Sequence, residues 1–135
     1  MVDLTVTAAS VVPTTTTKRL TKVASEAIDA GEAVYLNASD QLVLADNDAS
    51  AASAAAIGIA LASAAANQPC PYTYDGGLTV GAILTLGTTY ILSSTAGKIA
   101  PIADVASGDY VTILGVASST SVLDVHIHAS GVALA

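Results

Sequence analysis

Apolar and polar residues alternate along this chain in short runs, with the period of two residues that is typical of β-strands. Each run is followed by Gly, Pro, Asn, Asp or Ser, which favour turns. Such runs occupy residues 18–23, 33–36, 42–44, 57–61, 69–74, 90–92, 99–102, 108–116 and 122–127, and weaker alternation covers residues 3–7. Nine or ten strands at this spacing predict an all-β fold, either a small β-barrel or a β-sandwich.

Part of this strand pattern occurs twice in the sequence. The first copy reads GEAVYLN, QLVLADN and IGIALAS from residue 31 to residue 63, and the second reads GTTYILS, KIAPIAD and LGVASST from residue 87 to residue 120. Gly31 precedes Gly87 by 56 positions, and Gly58 precedes Gly115 by 57. This spacing predicts an internal pseudo-repeat, over about residues 27–76 and 83–131, with pseudo-twofold symmetry.

Two segments depart from the strand pattern. Residues 1–17 have little apolar surface of their own, so they predict an extended N-terminal arm ahead of a single β domain over residues 18–135. We expect another subunit or a neighbouring protein to hold this arm. The Ala/Ser run after Asp46 and Asn47 predicts a short helix over residues 48–55 with one of these two as its cap, or alternatively a flexible loop.

Proline and glycine residues predict an irregular strand and a turn in the middle of the chain. Pro69 and Pro71 favour an edge strand or a bulge for residues 69–74, since proline cannot donate to a strand ladder. Asp75, Gly76 and Gly77 then predict a turn. The apolar tail, residues 132–135, is expected to pack or to pair.

Composition points to a thin-layered core and an associating surface. The chain has no Phe and no Trp, so Val, Ile, Leu and Ala must fill its interior. Hydrophobic residues make up 53% of the chain and charged residues only 11%, which leaves a surface prone to association. We therefore expect a homo-oligomer or a component of a larger assembly.

The charge distribution excludes one class of partner. The net charge is −7, and Lys18, Arg19 and Lys22 are three of the four basic residues. The rest of the chain is almost purely acidic, which argues against nucleic-acid binding. The basic cluster either contacts an acidic partner or is a solvated strand edge whose lysines prevent edge pairing. The N-terminus lacks signal-peptide features, and no uninterrupted apolar stretch predicts a membrane span.

Few residues could carry chemistry. Asp124, His126 and His128 share one face of a predicted strand and could ligate zinc, could lie at a subunit interface, or could form an ordinary polar strand face, which we favour. Cys70 lies between two prolines and predicts an inert thiol. The acidic cluster at residues 46–48 favours capping over calcium binding. The sequence thus predicts no catalytic residues, no metal, no cofactor and no enzyme activity.

The tyrosines predict packing more than binding. Tyr35 and Tyr90 lie in the equivalent strand of each copy, which favours a place in the core or at its rim. Tyr72 and Tyr74 share a strand face and could line a contact surface.

The motifs together resemble a known family. The segments GEAVYLN and QLVLADN, the Ala-rich stretch, AIGIALASAAANQPCPY and GTTYILSSTAGKIAP are similar to the small capsid decoration (cement) proteins of tailed bacteriophages. The resemblance covers about residues 27–117. The chain departs from the family pattern at Glu32, where Asp is commoner, and at Gln41, where Gly or Gly-Lys is commoner. The family has no catalytic residues to carry over.

The resemblance implies a structural role on the virion. Such proteins bind the outside of the mature capsid through the major capsid protein and bridge neighbouring capsomers, often as homotrimers. Related modules occur in head fibres and tail fibres, so a fibre or receptor-binding module is the alternative. In the decoration reading, the expected capsid contacts are Leu4, Val6, Val11, Val12, Lys18, Arg19 and Lys22.

Overall fold

The computed structural model describes residues 3–134, and in this range ten antiparallel strands form one continuous sheet. The sheet curls into a half-barrel, which confirms the all-β prediction. The strands are β1 (Val12–Pro13), β2 (Lys18–Val23), β3 (Ala33–Leu36), β4 (Leu42–Leu44), β5 (Gly58–Ala60), β6 (Pro69–Thr79), β7 (Thr89–Leu92), β8 (Ile99–Pro101), β9 (Tyr110–Ala117) and β10 (Val122–Ala133). Two 3₁₀ turns lie at Ala8–Ser10 and Ile102–Asp104.

The order of the strands reflects the duplicated sequence. Across the sheet it runs β4-β3-β5-β6-β10-β9-β7-β8, so that β3–β6 on one side mirror β7–β10 on the other. Strands β1 and β2 both pair with β6. In the first copy Tyr35 pairs with Val43, and in the second Ile91 pairs with Ala100, 56 and 57 positions later. The two copies therefore form the two halves of the sheet.

Strand β6 belongs to both copies. Its first part pairs with β2, and its second part pairs with β10. The loop after β2 donates a hydrogen bond from the Ile28 N–H to the Ala64 carbonyl, and the loop after β6 donates one from the Leu84 N–H to the Thr120 carbonyl, both 2.9 Å long. These bonds correspond at an offset of 56, so β2 is the counterpart of the second part of β6. The repeat thus begins at β2, earlier than residue 27.

Small aliphatic side chains fill two adjoining cores. The larger one joins both copies and contains Leu78, Leu92 and Leu123. The smaller one lies within the first copy and contains Leu42 and Tyr72. Tyr90 is buried in the larger core, where its hydroxyl accepts a 2.8 Å hydrogen bond from the Thr85 N–H, and Tyr35 packs against it half-buried.

The predicted helix over residues 48–55 is wrong. This segment consists of bends and turns, because side chains take over the hydrogen bonds that a helix would make. The Asp46 carboxylate accepts from the Ala49 N–H at 3.1 Å and from the Ser53 hydroxyl at 3.2 Å. The Ser50 and Ser53 side chains also bond each other's backbone N–H groups.

The predicted turn at Asp75, Gly76 and Gly77 is also wrong, since β6 runs through all three residues. The glycines are needed because residues 14–17 lie directly against them. A Cβ on Gly76, whose φ is +95°, would collide with the backbone of Thr16. The Gly77 N–H donates a 2.9 Å hydrogen bond to the Thr16 hydroxyl oxygen.

Pro69 and Pro71 do not mark an edge strand. Their strand has β2 on one side and β5 on the other. The Pro71 carbonyl accepts a 2.9 Å hydrogen bond from the Leu61 N–H, a bond that requires no donor from the proline. An interior strand accommodates proline where its neighbour needs only an acceptor.

The N-terminal segment packs on its own domain. The Leu4 N–H donates to the Ile99 carbonyl at 2.7 Å, and the hydroxyl of Ser93 donates to the Asp3 carboxylate. The tail pairs as expected, because the Leu134 N–H donates to the Asp109 carbonyl at 2.8 Å. Residues 1, 2 and 135 of the predicted arm and tail lie outside the described range.

Candidate functional site

Strand β2 forms an exposed border of the sheet, which we call the basic edge (Lys18–Val23). It pairs with β6 on one side, and no strand in the range 3–134 pairs with its other side. Five of its six residues are exposed, and Leu20 has 53% of its surface accessible. The basic edge is therefore a strand with one row of backbone groups open to a partner.

The register of β2 against β6 shows which residues carry those open groups. Thr21 lies opposite Pro71, whose carbonyl points away from β2 to the Leu61 N–H. In an antiparallel ladder, opposed residues that do not bond each other direct their N–H and C=O groups outward. Thr21 therefore faces outward, as does Arg19 two positions before it. The outward side of Val23 is occupied, because the next residue, Ala24, forms a parallel bridge with Leu42, whose carbonyl accepts a 2.9 Å hydrogen bond from the Ser25 N–H.

Acidic side chains compensate two of the three cations at the basic edge. Lys22 Nζ lies 2.6 Å from Asp40 Oδ2, and Lys18 Nζ lies 3.4 Å from Asp75 Oδ2. The hydrogen bond to Asp40 raises the pKa of Lys22. Arg19 has no ion-pair partner within residues 3–134. The edge thus presents one uncompensated guanidinium beside two ammonium groups that are already paired.

His126 joins this cluster from strand β10. Its Nδ1 lies 3.6 Å from Asp75 Oδ1, opposite Asp75 in the strand register. Desolvation of the Asp75 carboxyl would raise its pKa, but its interactions with Lys18, the Gly76 N–H and His126 outweigh this and lower the pKa below its ordinary value. The sequence did not indicate this contact between β2, β6 and β10.

The expected capsid contacts separate into two groups. Leu4 and Val6 are half-buried and pack against the larger core, and Val11 is only 8% exposed. Val12 is 50% exposed, and the three cations lie on the basic edge. The first three residues therefore support the fold of their own chain, while Val12, Lys18, Arg19 and Lys22 are available to a partner.

The candidate metal ligands do not form a site. Asp124, His126 and His128 are exposed on β10, and no group of three His, Cys, Asp or Glu side chains within residues 3–134 is arranged to hold a metal ion. Cys70 is buried, and burial raises the pKa of its thiol, so it is protonated and unreactive at neutral pH. Tyr74 is exposed, but Tyr72 is buried and lines no surface.

Asn47 has a structural role that the sequence did not reveal. Its side-chain Nδ2 donates to the Leu92 carbonyl at 2.8 Å, its N–H donates to the Ser93 carbonyl, and its own carbonyl accepts from the Tyr110 N–H at 2.7 Å. It is fully buried, and its Oδ1 has no hydrogen-bond partner. Asn47 thus joins the first copy to two strands of the second.

A small cavity of about 60 Å³ lies between the N-terminal segment and the body. Leu4 and Val6 line one side, and Glu32 and Lys98, whose charged atoms are 3.6 Å apart, line the other. Pockets for small organic ligands are typically about 300–1,000 Å³. This cavity therefore belongs to the packing of the segment and offers no substrate site.

No protein-family model and no curated protein matches the chain. The helical turns within residues 3–134 are all too short and too weakly apolar to cross a bilayer. The basic edge is the most distinctive part of the described surface.

Proposed function

We propose that this chain is a structural protein of a tailed-bacteriophage virion that binds the outer surface of the mature capsid. One observation carries the proposal: three of the four basic residues of a chain with net charge −7 lie on an exposed strand with a vacant edge. The resemblance to capsid decoration proteins supplies the identity of the partner, the major capsid protein. The function is adhesive and involves no catalysis.

Such a protein would stabilise the capsid through thermodynamic linkage between binding and assembly. A ligand that binds only the mature, assembled capsid stabilises that state by mass action. A homotrimer would hold three basic edges in fixed relation, so weak contacts would combine into strong attachment. Complementary charge steers the encounter and fixes its orientation.

The contact surface proposed here is the basic edge together with Val12. Leu4, Val6 and Val11 contribute indirectly, because they anchor the segment that leads into β2. Deletion of residues 2–17 would remove part of the core and is not a clean test of binding. Substitutions on the exposed edge are the appropriate variants.

The test is co-sedimentation with mature capsids that lack a decoration protein. The combined variant Lys18→Gln, Arg19→Gln, Lys22→Gln is expected to bind about tenfold more weakly or worse, since it removes all cations of the edge. Lys98→Gln is the matched control, because it removes the fourth basic residue at a distant ion pair with Glu32. Undiminished binding by the combined variant, or an equal loss with Lys98→Gln, would refute the proposal.

A further inference from the structure

The second part of β6 shows how the vacant side of β2 can be filled. It is the counterpart of β2 in the repeat, and β10 covers one side of it as β6 covers one side of β2. Its other side is occupied by β1, which pairs antiparallel through Val12 with Thr79 and Pro13 with Leu78. Within residues 3–134 the same side of β2 is open from Lys18 to Lys22, and the chain closes it only beyond that point, where Ala24 bridges to Leu42. The molecule therefore contains one filled and one vacant version of the same edge.

We infer that the basic edge accepts an extended acidic segment of its partner as an added antiparallel strand. The inference rests on the proposed function in that the capsid protein would supply this segment. Arg19 and Thr21 direct their backbone N–H and C=O groups to the incoming strand. Leu20 and Lys22 keep their bonds to β6. Main-chain hydrogen bonds would provide affinity, and the side chains on either strand would provide selectivity.

Charge selects an acidic segment over a second copy of this chain. Lys18, Arg19 and Lys22 occupy three of six consecutive positions, and Arg19 has no ion pair within the described range. A strand carrying Asp or Glu would complete that pair. Two β2 strands of different copies would instead leave both Arg19 guanidinium groups without a counter-charge on one two-stranded ribbon, where like charges in close positions are destabilising.

The first test uses the wild-type chain and a capped heptapeptide of alternating Glu and Val. Amide hydrogen exchange, followed by NMR, is expected to slow at Arg19 and Thr21 and to stay unchanged at Leu20 and Lys22. A matched heptapeptide of alternating Lys and Val should give no protection. Protection by both peptides alike, or none with the acidic peptide, would overturn the inference. If the chain without peptide already shows this alternating amide protection and light scattering gives twice the monomer mass, a second copy occupies the edge. That result would also overturn the inference.

The second test uses capsids and separates the inference from the proposed function. Thr21→Pro removes an outward N–H without touching the bonds to β6, so capsid binding should fall about tenfold or more, whereas Thr21→Val should bind as the wild type does. Thermal unfolding checks that both variants are folded. Should Thr21→Pro bind normally while the cation variant does not, strand addition is wrong and the proposed function stands. If the wild-type chain does not bind capsids but shows the alternating amide protection with the acidic peptide, strand addition stands and the capsid function is wrong.

Discussion

Gly58 and Gly115 occupy equivalent positions in the two copies, and each lies against a carbonyl oxygen of the adjacent strand. A Cβ on Gly58 would overlap the Thr73 oxygen, and a Cβ on Gly115 would overlap the Asp124 oxygen. The repeat is therefore conserved within the molecule down to a close approach of backbones. Neither glycine has a positive φ, so space and not conformation requires them.

Substitution Gly115→Ala should lower the free energy of unfolding by about 3 kcal/mol, because the opposing group is backbone and cannot rotate away. Gly87→Ala is the control. Gly87 has φ +79° with open space around its Cβ position, so the cost should be only about 1 kcal/mol of conformational strain. Urea denaturation measures both, and equal costs would contradict the steric argument.

The neighbouring residues Val11 and Val12 should respond differently to truncation. Val11→Ala should cost about 2 kcal/mol, since it removes two buried methyl groups and leaves a cavity in the larger core. Val12→Ala should cost less than about 0.5 kcal/mol, because this side chain is half exposed. Denaturation midpoints compare the two, and a neutral Val11→Ala would show that the N-terminal segment does not pack on its own domain.

Asn47 should be important to the junction between the copies. Asn47→Ala leaves the buried Leu92 carbonyl without its donor and should lower the free energy of unfolding by about 1–3 kcal/mol. Asp48→Ala changes the exposed neighbour and should stay within about 0.5 kcal/mol of the wild type. If chemical denaturation gives the same midpoint for both variants, the Asn47 side-chain bond does not hold the copies together.

Cys70 should make stability depend on alkaline pH. Burial raises the pKa of its thiol above its ordinary value of 9.0, so the native state retains a proton that the unfolded chain releases. Its contribution is fully present below the unfolded pKa and is lost as pH rises through the folded one. The free energy of unfolding should therefore decline from about pH 8 upward, and Cys70→Ala should flatten that decline. Urea titrations at several pH values measure this slope, and an unchanged slope in the variant would disprove the assignment.

Local alternation was sufficient to predict several strands to the residue. Residues 18–23, 33–36 and 42–44 form β2, β3 and β4 as expected, because each signal depends only on neighbouring positions. The wrong predictions concern residues whose conformation is set by segments distant in sequence. Gly76 and Gly77 resemble a turn, but they are required by residues 14–17 lying against the strand. Pro69 and Pro71 look like edge residues, but their neighbours need only acceptors there.

The candidate site was partly visible in the sequence. The cluster of Lys18, Arg19 and Lys22 is evident from position alone, whereas the vacancy beside it depends on the sheet topology. The approach of Asp75 and His126 likewise depends on pairing across 51 positions. The sequence offers Asn47 only as one of two possible helix caps, because its actual partners, Leu92 and Tyr110, lie far along the chain.

Strand β6 has a consequence for how the molecule folds. Strand β6 is the last strand of the first copy, and its second part is the first strand of the second copy. Neither copy therefore has a complete set of strands without the other. A break within β6 would disrupt both halves at once, and the larger core spans their junction. The two copies thus share one sheet and one core, and we expect the chain to unfold in a single cooperative transition.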